Sequence, residues 1–196
     1  METFIFIGRS GCGKGTQAKL IIEHLKEKTP DIPHFYLETG ESFRKLMAED
    51  SFTSRITKAV NEAGQLQPEF LAVWTWSHLL IENLTGKEHL IIDGCPRRLH
   101  EAPVLDSAMD FYGRKKPYVI HVDVSREWSK ERLLARKRSD DEIDNVERRL
   151  NWFETEVLPA IYFFKGNPNY RYFEVNGEQT IEEVHKEILS KIELRA

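Results

Sequence analysis

The 196-residue chain has little cysteine, no long apolar run and no excess of basic charge. Two cysteines, Cys12 and Cys95, make a disulfide framework a poor reading, so a reducing, cytoplasmic location is expected. No apolar stretch approaches the ~20 residues that cross a bilayer, and the opening Met1–Ile7 run meets glycine and charge too soon for a signal peptide. With 28 basic against 32 acidic residues the net charge is −4, which argues against a nucleic-acid surface. The seven histidines include no His-x-x-x-His pair, so a histidine metal site is not expected. Repeats, low-complexity segments and interdomain linkers are missing too. Arginine, by contrast, is concentrated: Arg126, Arg132, Arg136, Arg138, Arg148 and Arg149 lie in one stretch, so an acidic chain can still hold one cationic site.

Phe4-Ile5-Phe6-Ile7 is an apolar run that ends at glycine, as a strand buried on both faces does. Ala18, Leu20, Ile21, Ile22 and Leu25 share a broad apolar face and predict a helix from about Gly15, broken by Pro30 and Pro33. His34-Phe35-Tyr36-Leu37 reads as a second strand. From Gly40 to Leu84 the pattern is helical, with turn signals near Asp50-Ser51, Gly64 and Pro68; three short helices without a strand read as an insertion. Phe70, Trp74, Trp76, Leu80 and Leu84 fall on the last of them and are expected to pack. Leu90-Ile91-Ile92-Asp93-Gly94 and the run from Tyr118 to Val124 repeat the strand design. Tyr170 to Val175 forms the last strand, followed by a helix carrying Ile181, Val184, Ile188 and Ile192. Five strands alternating with helices predict a parallel α/β sheet.

Gly8-Arg9-Ser10-Gly11-Cys12-Gly13-Lys14-Gly15-Thr16 joins the first strand to the first helix. Its glycines let successive N–H groups converge on a phosphate, the helix N-terminus adds partial positive charge, and Lys14 supplies an ammonium. The dinucleotide fingerprint Gly-x-Gly-x-x-Gly is absent from this loop, which disfavours a Rossmann oxidoreductase. Close packing alone would be the bland explanation of such a turn.

The residue after Lys14, usually Ser or Thr, is Gly15. Gly13-Lys14-Gly15-Thr16-Gln17 closely resembles the adenylate kinase family of nucleoside monophosphate kinases, and further motifs extend the resemblance along nearly the whole chain. Thr39-Gly40-Glu41-Ser42-Phe43-Arg44 resembles its Thr-Gly-Asp-x-x-Arg element, and Gly64-Gln65-Leu66-Gln67-Pro68 its Gly-x-Leu-Val-Pro segment. Asp93-Gly94-Cys95-Pro96-Arg97 matches Asp-Gly-Phe-Pro-Arg except at Cys95. Arg138-Ser139-Asp140-Asp141 with Arg149 resembles the Arg-x-Asp-Asp element and its downstream arginine. The resemblance implies a P-loop NTPase-like three-layer α/β fold: a five-stranded parallel sheet with helices on both faces. It implies one domain, with a core of about 1–38 and 86–196, a helical NMP-binding insertion of about 39–85 and a vestigial lid of about 135–139.

The activity implied is transfer of the γ-phosphoryl of ATP to AMP, with Mg2+ accompanying ATP and without zinc. ATP would contact Gly11, Cys12, Gly13, Lys14, Gly15, Thr16 and Arg132, with Gly177 in the loop near the adenine. AMP would contact Thr39, Gly40, Arg44, Gln65, Leu66, Gln67, Gly94, Arg97, Glu101, Arg138 and Arg149. Lys14, Arg97, Arg132, Arg138 and Arg149 would neutralise the transferring group, because this reaction needs alignment and charge rather than a nucleophilic side chain. Asp93 would order waters around magnesium, with Glu41 a second contributor.

Plainer readings stand beside these roles. Arg132, Arg136, Arg148 and Arg149 can form a solvated helix face with Glu131 and Glu147, and Arg136 and Arg148 read better as surface. Asp93 and Glu41 can cap turns, Asp140 and Asp141 can complement a helix dipole, and Cys12 can be a small residue in a tight turn. Glu101 stands where the family places a glutamine that both accepts from and donates to adenine. An ionised carboxylate only accepts, so either Glu101 is protonated or Gln67 or a backbone group supplies the donor. Cytosine also carries an exocyclic amine, which keeps a UMP/CMP kinase as the alternative, but Thr39 resembles the adenylate kinases. Glutamine at position 101 is expected to support AMP use at least as well. Only Ala135-Arg136-Lys137 separates Leu134 from Arg138, too little for a zinc-binding lid, and this shortness leaves either Arg132 or Arg136 to face the phosphates. A monomer is expected. A non-catalytic nucleotide-binding regulator would have lost Lys14, Asp93, Arg97 or the second arginine group, and all are present.

Overall fold

The computed structural model describes residues 1–135 and 143–192. Arg136, Arg138, Asp140 and Asp141, and with them the lid beyond Ala135, lie outside the described residues. The strands are β1 (Thr3–Ile7), β2 (His34–Glu38), β3 (His89–Asp93), β4 (Tyr118–Asp123) and β5 (Arg171–Asn176). They form one five-stranded sheet in the order β2-β3-β1-β4-β5, and every pairing is parallel.

Successive side chains of a strand point to opposite faces, and here both faces are covered by helices. Phe4 and Phe6 of β1, with Ile91, Ile120 and Val122, pack against α1 (Lys14–Lys28) and α9 (Ile181–Lys191) through Ile21, Leu25, Val184 and Ile188. Ile5 and Ile7, with Leu90, Ile92 and Val119, pack on the other face. There they meet Trp76 and Leu80 of α4 (Glu69–Asn83), Leu105 of α5 (Glu101–Phe111) and Phe164 of α8 (Leu158–Lys165). Each such large apolar side chain contributes about 1.5–3 kcal/mol on burial, so this alternation alone specifies the three-layer arrangement.

The segment between β2 and β3 forms α2 (Thr39–Ala48), α3 (Phe52–Glu62) and α4. Ser51 caps α3 by accepting the amide of Ser54 at 3.0 Å. On α4 the packing expectation is only partly met. Trp76 and Leu80 are buried, but Phe70 and Trp74 are 72% and 54% exposed. The helix lies flat on the sheet, so one face meets the core while Phe70, Trp74 and His78 share the opposite face, with the Trp74 and His78 rings stacked at 4.9 Å. Downstream, α6 (Arg126–Ala135) follows β4, and α7 (Ile143–Trp152) passes through a π-helical turn at Phe153–Val157 into α8. Pro159 enters α8 at its first turn, where its missing N–H removes one α-helical hydrogen bond and favours the wider register before it.

Candidate active site

Four of the loops that leave the carboxyl ends of the parallel strands surround a cavity of about 710 Å3. Crevices at this end of an open α/β sheet are where such folds bind ligands. At its floor, α1 begins after Gly13, whose left-handed backbone (φ 95°) carries no capping side chain, so the first amides of the helix are left for a ligand. Gly11, Gly13, Lys14, Gly15 and Thr16 line the cavity. The Lys14 ammonium is folded onto the Gly8 and Arg9 carbonyls, each at 2.9 Å, and exchanging these contacts for phosphate oxygens needs only side-chain rotation. Cys12 is buried in the core beneath the loop rather than on the cavity wall, which agrees with a small residue in a tight turn.

The end of β3 faces this floor. Asp93 is buried, takes a hydrogen bond from the Tyr36 hydroxyl at 3.1 Å, and has its charge disfavoured by burial, with Lys14 opposing that effect. One carboxylate oxygen stands 3.1 Å from where a Cβ at position 15 would lie. Gly15 in place of the usual Ser or Thr therefore leaves room for Asp93. Among the described residues no group of three or more His, Cys, Asp or Glu side chains is placed to hold a metal. Asp93 alone suits a hydrated ion that comes with a phosphate. Glu41 is elsewhere: it pairs with Lys45 at 2.9 Å and does not line the cavity.

The rest of the cavity is assembled from distant segments. Thr39, Gly40 and Arg44 come from α2, Gln65, Leu66 and Gln67 from the turn before α4, and Gly94, Arg97 and Glu101 from the segment after β3; all line the cavity. Arg97 is half-buried and donates to the Gly94 carbonyl at 2.9 Å. Burial disfavours its charge, while Glu101 and Asp93 support it. Arg132 of α6 and Arg149 of α7 reach the same cavity, Arg132 with its guanidinium 4.5 Å from the Trp128 ring centre. Glu147 instead pairs with Arg126 at 2.6 Å and Lys130 at 2.5 Å, which leaves Arg132 outside that ion-paired face. Gly177, expected near adenine, sits after β5 against Val122 and Val124 and does not line the cavity.

Gln67 is partly engaged: its amide nitrogen donates one proton to the Thr57 carbonyl at 2.9 Å, and its buried Oε1 has no hydrogen-bond partner among the described residues. Several contributors escape a motif reading because each acts through a tertiary neighbour. Glu38 pairs with Arg44 at 2.8 Å and Tyr36 supports Asp93. Arg98 donates to the Gln67 carbonyl at 2.6 Å and pairs with Glu156 at 3.2 Å. Arg9 bonds Glu154 at 2.7 Å and lies over the Phe153 ring, tying the phosphate loop to the helical segment that carries Arg149. Arg148, read as surface, is exposed but donates to the Ala63 carbonyl at 2.7 Å.

Known proteins resemble the chain along most of its length. A family model described as adenylate kinase aligns with residues 6–168. The chain is 31% identical to adenylate kinase 1 of a Nostoc species over 188 residues, 96% of this chain and 97% of that protein. It is 32% identical to the adenylate kinase of Leptospira biflexa, covering 98% of this chain and 100% of the relative. A glycine-rich loop, a buried aspartate behind it and arginines from four segments thus occur in a chain aligned with these enzymes over nearly its whole length, and the chain belongs to the adenylate kinase family.

Proposed function

We propose that this phosphotransferase moves the γ-phosphoryl group of ATP to AMP, forming two ADP, with MgATP as the donor substrate. The observation that carries the reading is the convergence of Lys14, Arg44, Arg97, Arg132 and Arg149 on one cavity that is also lined by a buried carboxyl, Glu101. The acceptor phosphate oxygen is already ionised, so no side chain has to become a nucleophile. Catalysis rests on in-line placement and on neutralising charge as the phosphoryl group passes between nucleotides.

Lys14 and the amides at the start of α1 hold the donor phosphates. Arg44, kept extended by Glu38, and Arg97, braced on the Gly94 carbonyl, hold the acceptor phosphate through planar guanidinium forks. Arg132 and Arg149 flank the transferring group, and the motif assigns Arg138 to the same task. Asp93 orients waters of the magnesium that accompanies ATP, which commonly keeps part of its water shell. The helices α2 to α4 form the acceptor-binding unit, and the chain acts as a monomer.

A coupled assay for ADP formation tests the reading. The protein should turn over ATP with AMP, and Lys14→Ala should lose about 100-fold or more in kcat, as removal of a preorganised charge contact does. An inactive wild-type chain, or full activity in Lys14→Ala, would overturn it. In a panel of monophosphates AMP should have the highest kcat/KM at neutral pH. A higher value for CMP or UMP would establish the pyrimidine alternative.

A further inference from the structure

Arg9 is the one large residue among the small ones of the phosphate loop before Lys14, and it is buried. Its side chain leaves the loop and reaches two other segments. Nε donates to the Val124 carbonyl just past β4 at 3.3 Å, and Nη1 donates to Glu154 at 2.7 Å. The guanidinium carbon lies 4.1 Å from the centre of the Phe153 ring. The Arg9 carbonyl meanwhile closes the loop, accepting the Cys12 amide at 3.2 Å and the Lys14 ammonium at 2.9 Å. Phe153 and Glu154 open the π-helical turn, and Arg149 stands four residues before Phe153 on the same continuous helical run. The i→i+5 hydrogen bonds of that turn break the α-helical register between Arg149 and α8, and Arg9 holds its first two residues from outside. Arg132 is attached to the loop separately: Ser129, one turn before it on α6, donates to the Ser10 carbonyl at 2.7 Å. Lys14, Arg132 and Arg149 line the cavity, whereas Arg9, Phe153 and Glu154 do not.

We infer that Arg9 is a positioning residue for phosphoryl transfer: through Glu154 and Phe153 it fixes the spacing between Lys14 on the phosphate loop and Arg149 on α7. The inference rests on the phosphoryl-transfer reading above and adds a residue that touches neither nucleotide. A planar guanidinium suits the task because it donates along two edges while its face stacks on a ring, three contacts that an ammonium cannot make at once. Transfer between two bound nucleotides is sensitive to misplacement of a charged group by about 1 Å, so a clamp behind the cavity acts on the rate of the chemical step.

Steady-state kinetics on a set of variants tests this. At saturating MgATP and AMP, Arg9→Ala should lower kcat about 10- to 100-fold and Glu154→Ala about three- to tenfold, while Glu154→Gln, which keeps an acceptor for Arg9, should regain most of that loss. In an Arg149→Ala background Arg9→Ala and Glu154→Ala should each cost less than about twofold more, since no guanidinium remains to be aimed; in an Arg132→Ala background each should cost its full factor. An equal loss with and without Arg149, a loss confined to KM for AMP, or unchanged kcat in both variants would overturn the inference. Glu154 is half exposed and its truncation leaves the buried Arg9 in place, so the Glu154→Ala series decides the matter even where Arg9→Ala fails to fold. Equilibrium binding of MgATP to the same proteins should show the same dependence on Arg149 without turnover. A wild-type chain that makes no ADP from ATP and AMP would therefore defeat the phosphoryl-transfer reading, while the binding series decides the clamp separately.

Discussion

Asp93 and Glu101 are both buried carboxyls in one cavity, and their neighbours divide their work. Asp93 lies by Lys14 and Tyr36, whereas Glu101 lies by Arg98 and Trp76, with Arg97 facing both. Asp93→Asn should therefore lower kcat by about 100-fold while changing KM for AMP little, a split that steady-state kinetics with saturating MgATP would read. A rise in KM for AMP with unchanged kcat would move Asp93 to the acceptor side. At this scale, the residues legible in the sequence were those whose role is written in a short contiguous motif: Lys14 in its glycine loop, Arg97 after Asp93, Arg44 after Thr39. Glu38, Tyr36 and Arg98 were not, because each matters only through a partner brought close by folding. Gln67 was found, but the Thr57 carbonyl that takes one of its amide protons is visible only in three dimensions.

The helices around the cavity are joined at a corner that the sequence did not advertise. Arg148 donates to the Ala63 carbonyl at 2.7 Å, and the Trp152 indole donates to the Gly64 carbonyl at 3.2 Å, so α7 grips the turn after α3. Gly64 has φ +65°, and a Cβ there would approach Asn145 Oδ1 to 2.8 Å, so only glycine lets the turn come this close. Arg148→Ala should raise KM for AMP about three- to tenfold with a smaller change in kcat, because it loosens α2 to α4, the helices proposed to bind the acceptor, without touching the reacting groups. An unchanged KM would show that the grip plays no part in acceptor binding. The helical insertion itself was readable from its turn signals. The outward side of α4 was not, because Phe70 and Trp74 are apolar residues on a face that nothing among the described residues covers, and composition cannot tell such a face from a packed one.

Two groups of buried polar side chains lie at opposite ends of the sheet. Opposite the cavity, where the strands begin, Glu88 pairs with Arg114, and His89 accepts the Glu2 amide at 3.0 Å while its other nitrogen meets the Thr29 hydroxyl at 3.1 Å. Burial holds His89 neutral down to about 4 from an ordinary 6.5, so the unfolded chain takes up its proton first as pH falls. Despite burial, hydrogen bonds from Thr85 and Lys87 and the charge of Arg114 hold Glu88 at about 2 against an ordinary 4.5. Stability should thus fall between pH 6.5 and 4 through His89, by about 1–3 kcal/mol, and fall again from pH 4.5 toward 2 as Glu88 loses its charge. Urea unfolding across this range checks both steps, and His89→Gln should flatten the upper one. The sequence has only Ala135-Arg136-Lys137 between Leu134 and Arg138, and so short a segment should give measurable ATP hydrolysis without acceptor, compared with a long-lid relative. An undetectable background rate would count against this. The layered fold was legible because strands buried on both faces leave continuous apolar runs; the order β2-β3-β1-β4-β5 was not, because it depends on how far each crossover travels. Since all five strands run the same way, one rim of the sheet decides what is bound and the other how much acid the chain survives. Base preference can therefore drift under selection, at Glu101 for instance, without drawing on the residues that set acid tolerance.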